Sequence, residues 1–414
     1  MNILLIHQYF LEEDDPGGSR FNEMAANWTQ AGHQVTVVGG MVHYNGTKKR
    51  DEYKGKFFKR KKQGEINVIR SHVPESYNSS FIGRLWGYFS FTFSSLIAGL
   101  FLAREKYDFI LVTSPPLFIG LNGYVISRVK RIPFVFEVRD LWPESAIDTQ
   151  VLTNKLLIKL AFGMERFIYK KATLINVLTP AFREKLIQDK QVDPNKIIFI
   201  PNGADFRISE KLLESFDNKK FRKKLGWSDK FVITYVGAHG VANHLEQVFD
   251  AAELLEDTNV LFVMVGMGMQ KQYLLEEKQR RNIQNVLFLD PVPKNEIFQY
   301  ILASDMGASI LKKADTFKTI YSNKTFDYMS CKKPVLMAID GVSRELIQES
   351  KAGSYVEPEN AIEYFNVISS YLVDKNKAIM EGENGYDFAK KNFERDALSK
   401  KYLGLIEEKV LNTK

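Results

Sequence analysis

A single cysteine, Cys331, stands in a chain of 414 residues. No disulfide can therefore close within the chain, and no cysteine-based zinc cluster can form. That usage fits a reducing cytoplasm. The six histidines are scattered, and none has the HExxH spacing of a zinc enzyme, so no metal site is expected. The start lacks the basic region and the small-residue cleavage site of a signal peptide; Met1-Asn2 runs straight into an apolar strand. Zinc-finger spacing, an RNP-type aromatic motif and a helix-turn-helix pattern are all missing, which argues against a nucleic-acid partner. There is no internal repeat and no low-complexity tract.

What is present is an alternation of strands and helices. Apolar residues make up 45% and charged residues 26% of a chain too long for one ordinary core. Asn2–Gln8 reads as a buried parallel strand, Ser19–Ala31 as a helix stopped by Gly32, and Gln34–Gly39 as the next strand. That order is a βαβ unit and implies a doubly wound parallel sheet. Further strands are expected at Ile66–Arg70, Phe109–Thr113, Pro133–Val138, Leu174–Leu178 and Ile197–Ile200. The order restarts after Gly226, with strands at Phe231–Gly237, Val260–Gly266, Val286–Phe288, Met306–Ser309 and Pro334–Met337. Two Rossmann-like α/β domains follow, with a polar linker around Pro201–Asn218. A long charged helix is expected at about Tyr386–Val410, after an Asn384-Gly385 turn.

Two segments point away from a plain soluble surface. Lys48–Lys62 holds nine Lys/Arg in fifteen residues. It reads either as a solvated loop or as a contact for an anionic partner, a membrane leaflet or a polyanion. Leu85–Ala103 runs 19 residues without a charge, at the lower limit for a membrane span. It lies between two strands of one expected sheet, so it reads as a crossover helix, either of the ordinary core kind or with an outer face that dips into a membrane interface.

Ligands of doubly wound sheets bind at the carboxyl ends of the strands. After the first strand come Gly17 and Gly18, which let backbone N–H groups approach an anion, and Arg20, which could add a bidentate contact. The pattern is not GxGxxG, so an NAD site is not expected. After the strand ending at Val138 come Arg139, Asp140 and Glu144, clustered beside Trp142 and Pro143; Ser114-Pro115-Pro116 would line the same crevice. In the second half, Gly237, His239, Gly240 and Asn243 follow the first strand, and Gly266-Met267-Gly268 follows the second. Val292, within Leu289–Pro293, could hold a flat base between backbone groups. Ser322, Asn323 and Lys324 open a helix, placing backbone N–H groups and an ammonium at one point, which suits a diphosphate. Asp327 lies on the same helix face, where its carboxylate can accept from ribose hydroxyls. A plain tight turn, a salt-bridged loop and a capped helix with a surface Lys-Asp pair are the respective ordinary readings.

The chain resembles retaining GT-B glycosyltransferases of family 4, especially the bacterial O-antigen and capsule branch that includes L-fucosamine (FucNAc) transferases. The resemblance rests on Ile3–Phe10 with Gly17-Gly18-Ser19-Arg20-Phe21, on Glu137–Glu144, on Pro201-Asn202-Gly203 and on Asn323-Lys324-Thr325-Phe326-Asp327-Tyr328-Met329. Together these motifs span nearly the whole chain in the expected order. It implies two facing Rossmann-like domains: residues 1–203, completed by 384–414, for the acceptor, and 204–383 for a UDP-sugar. It also implies that the last helix crosses back to the first domain and that no metal or other cofactor is needed. In that setting Lys324 and its helix would offset the diphosphate charge, and Asp140, Glu144 and Arg139 would orient the acceptor or stabilise the oxocarbenium-like state. The implied acceptor is a saccharide on a polyprenyl diphosphate, so the enzyme is expected in the cytoplasm, peripheral on the inner membrane surface. Two departures stand out. Thr319 occupies the place of the first of two acids that the family separates by seven other residues, and the usual Arg and Lys after the first strand of the second domain are replaced by Ala238–Asn243. A non-transferring relative, such as a UDP-sugar 2-epimerase, is the alternative enzyme; a binding protein without catalysis is the third class.

Overall fold

The structure is a computed structural model. It describes the chain apart from residues 14, 16–19, 43–47, 79–80, 149–151 and 413–414, and apart from the side chains at 77, 78, 81, 82, 84, 294, 295 and 375. The chain divides into two compact units, Met1–Pro201 with Asp396–Lys414, and Asn202–Arg395.

In the first unit the elements run β1 (Asn2–Ile6), α1 (Arg20–Gln30), β2 (Gln34–Gly40), β3 (Phe58–Gln63), β4 (Ile66–Ser71), α2 (Phe81–Ile97), β5 (Phe109–Thr113), α3 (Ile119–Lys130), β6 (Phe134–Val138), α4 (Glu144–Asp148), α5 (Lys155–Lys171), β7 (Leu174–Val177), α6 (Pro180–Gln188) and β8 (Ile197–Phe199). They build one sheet of order β3-β4-β2-β1-β5-β6-β7-β8. Its inner strands are parallel and apolar on both faces, as NILLI in β1 and FILVT in β5, because helices cover each side.

The expected strands of this unit are present, and β3 is one the sequence did not announce. Its residues, FKRKKQ, belong to the basic run, yet they pair antiparallel with β4 across a turn at Gly64-Glu65. The run is also not a free block of charge. Lys54 pairs with Asp51 at 2.6 Å, Arg50 with Asp15 at 2.7 Å, and Lys59 and Lys61 both reach Glu52.

The long apolar segment lies where the chain order demands, between β4 and β5 of one sheet. By length and composition alone Leu85–Leu102 could cross a membrane. Here α2 and the π turn Ala98–Leu102 that continues it pack on the sheet layer instead. Phe91, Ser94, Ser95, Ala98 and Gly99 are buried, and a β-carbon on Gly99 would fall 2.4 Å from Ile126 of α3.

The second unit runs α7 (Phe206–Ser215), α8 (Asn218–Leu225), β9 (Phe231–Val236), α9 (Glu246–Leu254), β10 (Val260–Val265), α10 (Lys271–Arg280), β11 (Val286–Leu289), α11 (Lys294–Leu302), β12 (Met306–Ile310), α12 (Asn323–Ser330), β13 (Val335–Ala338), α13 (Val342–Ser350), β14 (Gly353–Tyr355), α14 (Ala361–Val373) and α15 (Lys375–Phe393). Its sheet is parallel, of order β11-β10-β9-β12-β13-β14. The segment read as a linker contains α7, whose Phe206 is buried in this unit's core.

The expected last helix is two helices. α15 ends at Phe393, Glu394 is extended and bridges Ala204, and α16 (Arg395–Ile406) begins again. Asn384-Gly385 is not a turn but lies inside α15. The glycines there serve close packing: a β-carbon on Gly382 would meet the Lys332 carbonyl at 2.2 Å and one on Gly385 would meet Ala352 at 3.0 Å. α16 then belongs to the first unit. Leu398, Tyr402, Leu403 and Ile406 enter the same core as Phe21, Met24 and Trp28, and the Trp28 indole donates to the Ser399 carbonyl at 3.0 Å.

One buried ion pair organises this core. Arg20 meets Glu137 at 3.2 Å, and the Glu137 side chain is fully buried. Arg20 also donates to the carbonyls of Ile200 (2.8 Å) and Pro201, and Asn176 donates to Glu137 at 2.9 Å. Removing one partner of such a pair leaves an uncompensated buried charge and costs about 3–5 kcal/mol, whereas replacing both by apolar groups costs far less. Glu137→Leu should therefore lower the urea midpoint of the first unit strongly, and Arg20→Met with Glu137→Leu should recover part of it. Equal midpoints for the single and double variants would contradict the pairing.

Candidate donor and acceptor sites

In the second unit the carboxyl ends of β9 and β10 carry two loops that nearly touch. A β-carbon on Gly266 would lie 1.9 Å from the Gly237 carbonyl oxygen, and one on Gly268 would lie 2.3 Å from the His239 carbonyl oxygen. Gly237 and Gly266 have φ of 142° and 156°, a region that side-chain-bearing residues rarely adopt. Backbone bonds stitch the loops: Gly237 N–H to Val265 at 3.0 Å, His239 N–H to Met267 at 3.0 Å, and Gln270 N–H to His239 at 2.9 Å.

Lys324 reaches the same place from the first turn of α12. A β-carbon on Gly237 would sit 3.2 Å from Lys324 Cε. The ammonium lies over the Tyr235 ring, 4.5 Å from its centre, and the Tyr235 hydroxyl donates to the Ala238 carbonyl at 2.8 Å. Burial lowers the Lys324 pKa to about 8, with Asp327 acting in the opposite direction. Ser322 caps α12 by backbone geometry but its side chain makes no capping bond, which leaves first-turn N–H groups to a ligand. Tyr328, buried on the same helix, ties α12 to the sheet by accepting from Val236 N–H at 3.0 Å and donating to the Ala308 carbonyl at 3.2 Å.

His239 is fully buried between the loops. Neither ring nitrogen has a hydrogen-bond partner among the described residues, and Nε2 would be 3.2 Å from a β-carbon on Gly266. Burial, helped by Lys271, pushes its pKa down to about 4, so the ring is neutral at physiological pH. An unpaired buried polar group costs about 1–3 kcal/mol, which a ligand at this point would offset.

The structure thus brings Gly237, His239, Gly266, Lys324 and the start of α12 to one point. Asn323 is exposed beside them and accepts from Asn202 at 2.7 Å. Gly240 and Asn243 form a separate 3-10 turn, closed by Asn243 N–H to Gly240 at 3.0 Å. Val292 instead packs against the cluster of Trp227, Val232 and Val265. Thr319 donates to its own turn, to the Thr316 carbonyl at 2.9 Å. A cavity of about 610 Å³ in this unit lies at the opposite ends of the strands, by Phe231, Asp305 and Pro334, and plays no part here. Tyr235 was not singled out from the sequence, because a tyrosine in an apolar run reads as core.

In the first unit the strand ends give a second cluster. Gly17 and Gly18 lie outside the described residues. Arg20 is described, and it turns inward, pairing with Glu137 and donating to the carbonyls of Ile200 and Pro201. Arg139 follows β6, with its N–H donating to Ser114 Oγ at 3.2 Å. Asp140 accepts from Ser145 at 2.9 Å, and burial raises its pKa against that bond. Glu144 pairs with Lys190, which also holds the buried Glu165 at 2.9 Å. Two residues at the end of β1 went unassigned in the sequence. His7 is buried and held neutral, first by burial and then by Arg139 and Arg70. Gln8 is buried with its amide unpartnered among the described residues.

Comparison with known proteins places the chain in a class. Two family models match in tandem, "Glycosyl transferase 4-like domain" over residues 17–203 and "Glycosyl transferases group 1" over residues 217–388. Solved structures agree in fold across the whole chain. Sucrose-phosphate synthase of Thermosynechococcus elongatus superposes with TM-score 0.74 at 16% identity, covering 98% of each chain. Anabaena HepE in complex with UDP-glucose superposes with TM-score 0.70 at 20% identity, covering 99% of this chain and 100% of that one. The fold is GT-B, and its two matched domains make the chain a glycosyltransferase. Its amino-terminal match assigns it to the family 4 branch of those enzymes.

Two curated relatives are similar over parts of their length. WcaI of Escherichia coli, a glycosyl transferase named for colanic acid biosynthesis, is 24% identical over 277 residues, 66% of this chain and 67% of that one. A UDP-Gal:α-D-GlcNAc-diphosphoundecaprenol α-1,3-galactosyltransferase of Escherichia coli is 30% identical over 174 residues, 40% of this chain and 42% of that one.

The Lys324 environment gives a pH test. Below its pKa of about 8 the ammonium is present and attracts phosphate; above it the charge is lost. UDP affinity, measured by calorimetry, should therefore fall about tenfold between pH 7 and pH 9, and Lys324→Arg should flatten that fall. A fall of the same size in Lys324→Arg would remove Lys324 from the site.

Proposed function

We propose that this enzyme moves a sugar from a UDP-sugar to a lipid-linked saccharide with retention of configuration, in the biosynthesis of a bacterial surface polysaccharide such as an O-antigen or capsule. The observation that carries the proposal is the convergence of Lys324, the α12 start and the Gly237–Gly266 loops on one point of the second unit. That combination suits a diphosphate: an ammonium, unsatisfied backbone N–H groups and room for close backbone approach. HepE, a neighbour in fold, binds UDP and UDP-glucose. The galactosyltransferase relative acts on a diphosphoundecaprenol-linked sugar, and WcaI is named for colanic acid biosynthesis. An N-acetylated hexosamine, with N-acetyl-L-fucosamine first, is the donor sugar to try.

In this reading the first unit holds the acceptor. The bond from the anomeric carbon to the UDP oxygen breaks, and the acceptor oxygen bonds to that carbon on the same face. The acceptor's proton passes to the departing β-phosphate, so no strong enzymic base is required. Lys324 and the helix start offset the charge that develops on the diphosphate, which makes a divalent metal unnecessary. Asp327 accepts from the ribose hydroxyls, and the neutral His239 ring offers a hydrogen bond beside the phosphates. Asp140 orients the acceptor hydroxyl, with Arg139 beside it; Glu144, held by Lys190, supports the loop.

The test is a mass-spectrometric screen of UDP-sugars against polyprenyl-diphosphate monosaccharides, with and without EDTA. A disaccharide product and free UDP are expected, unaffected by EDTA. A new UDP-sugar formed without acceptor would replace transfer by epimerisation. Asp140→Asn should lower kcat/KM about a hundredfold and leave UDP affinity unchanged. The wild-type rate should fall on the acid side at a higher pH than for an ordinary carboxylate, since burial raises the Asp140 pKa. An unchanged kcat/KM in Asp140→Asn would remove its role.

A further inference from the structure

Helices α2, α3 and α5 lie side by side over one face of the first unit's sheet. Asn122 of α3 donates to the Thr92 carbonyl at 2.6 Å and to Ser95 Oγ at 2.9 Å, both on α2. Tyr124 of α3 meets Phe167 of α5 edge-on at 5.1 Å. Gly120 lies so close to α5 that a β-carbon there would be 2.7 Å from Ile168.

The inner faces of the three helices form ordinary core, and their outer faces expose large apolar side chains. Trp86 is 61% exposed, Phe93 62%, Phe101 65%, Val129 65%, Leu156 66% and Leu160 60%. The spacing along each helix is that of one stripe: 86 to 93 on α2, and 156 to 160 on α5, where Phe167 continues the line. Apolar exposure on this scale across neighbouring helices marks an interaction surface.

Charge identifies the partner. The sequences of α2, α3 and α5 together carry eight Lys/Arg and a single acid, Glu165. That acid is buried and paired with Lys190. Lys155, Lys159, Arg166 and Lys170 are exposed along α5, on the same helix as the leucines. A second copy of the chain docked face to face would set these cations against themselves. By contrast the Lys48–Lys62 run is partly neutralised by Asp15, Asp51 and Glu52. Apolar ridges flanked by cations fit a bilayer surface with anionic headgroups.

We propose that the α2–α3–α5 face docks the enzyme on membranes rich in anionic phospholipid, with the apolar stripes in the headgroup boundary and the α5 cations on the headgroups. This rests on the reading that the enzyme works beside a lipid-linked acceptor, and names the surface it uses.

The test uses the full chain and vesicles of phosphatidylcholine, alone or with about one third phosphatidylglycerol, free of polyprenyl lipid. Co-sedimentation should occur chiefly with the anionic vesicles, with a blue shift of tryptophan emission that Trp86→Phe removes. Lys155→Glu with Lys159→Glu should lower partitioning at least about tenfold, while Lys54→Glu with Lys56→Glu should change it less than about twofold. All four lysines are exposed, so unchanged thermal melting confirms that the variants fold. Equal binding to both kinds of vesicle, or no effect of the Lys155 and Lys159 reversal, would overturn the proposal. So would a lipid-free dimer that Leu160→Glu dissociates, since the face would then serve a second copy. Transfer to a water-soluble acceptor analogue is read in parallel. A chain that transfers but does not bind vesicles loses only the docking face; one that binds but transfers to no acceptor loses only the catalytic reading.

Discussion

The Gly237 carbonyl oxygen lies where a β-carbon on Gly266 would be, 1.9 Å from that position. Two loops can approach this closely only if neither carries a side chain at the contact and both accept a left-handed backbone. The rest of the ligand-facing end of the second unit depends on that approach. It encloses His239 between the loops and gives Lys324 a floor formed by Gly237 and the Tyr235 ring. Parallel strands aim their carboxyl ends in one direction, so the loops after β9 and β10 and the helix that follows β12 converge without a long excursion. The cost is an ammonium and an imidazole that burial makes reluctant to carry charge. A diphosphate is a ligand that would return charge complementarity to the first, and a polar oxygen is what the second lacks.

The first unit is built on the opposite economy of polar groups. Arg20, Glu137, Asn176 and the carbonyls of Ile200 and Pro201 satisfy one another inside the protein. Tyr402 of α16 lies over the Arg20 guanidinium at 5.9 Å, so the carboxyl-terminal helix helps enclose the pair. What remains at the strand ends is His7, Gln8, Arg139 and Asp140, buried or half-buried polar groups with few internal partners. One unit therefore offers backbone and a cation, and the other offers side chains. On that difference rests the proposal that one unit holds a nucleotide diphosphate and the other orients a hydroxyl.

Much of the fold was legible because parallel strands buried on both faces are written as unbroken apolar runs, as in Leu4–Ile6 and Val260–Val265. β3 was not, because its lysines pair with Glu12 and Glu52 from other segments, and a basic run alone reads as solvated loop. Asn384-Gly385 resembles a turn, yet Gly385 is there to let α15 lie against Ala352. At the site, Lys324, Gly237, His239 and Gly266 could be named because glycine and a helix-opening lysine at strand ends have a local physical meaning. Tyr235 beneath Lys324 and the role of Arg20 are products of packing between segments distant in sequence, and no local pattern marks them. Thr319, in the place that the resemblance gives to an acid, donates to the Thr316 carbonyl of its own turn.

Amide hydrogen exchange with and without UDP tests the central placement most directly. Protection should rise in Gly237–His239, Gly266–Gly268 and Ser322–Thr325 together, and should be lost in Lys324→Met at the same UDP concentration. Protection confined to other segments, or unchanged in Lys324→Met, would contradict a diphosphate site built from these loops and the start of α12.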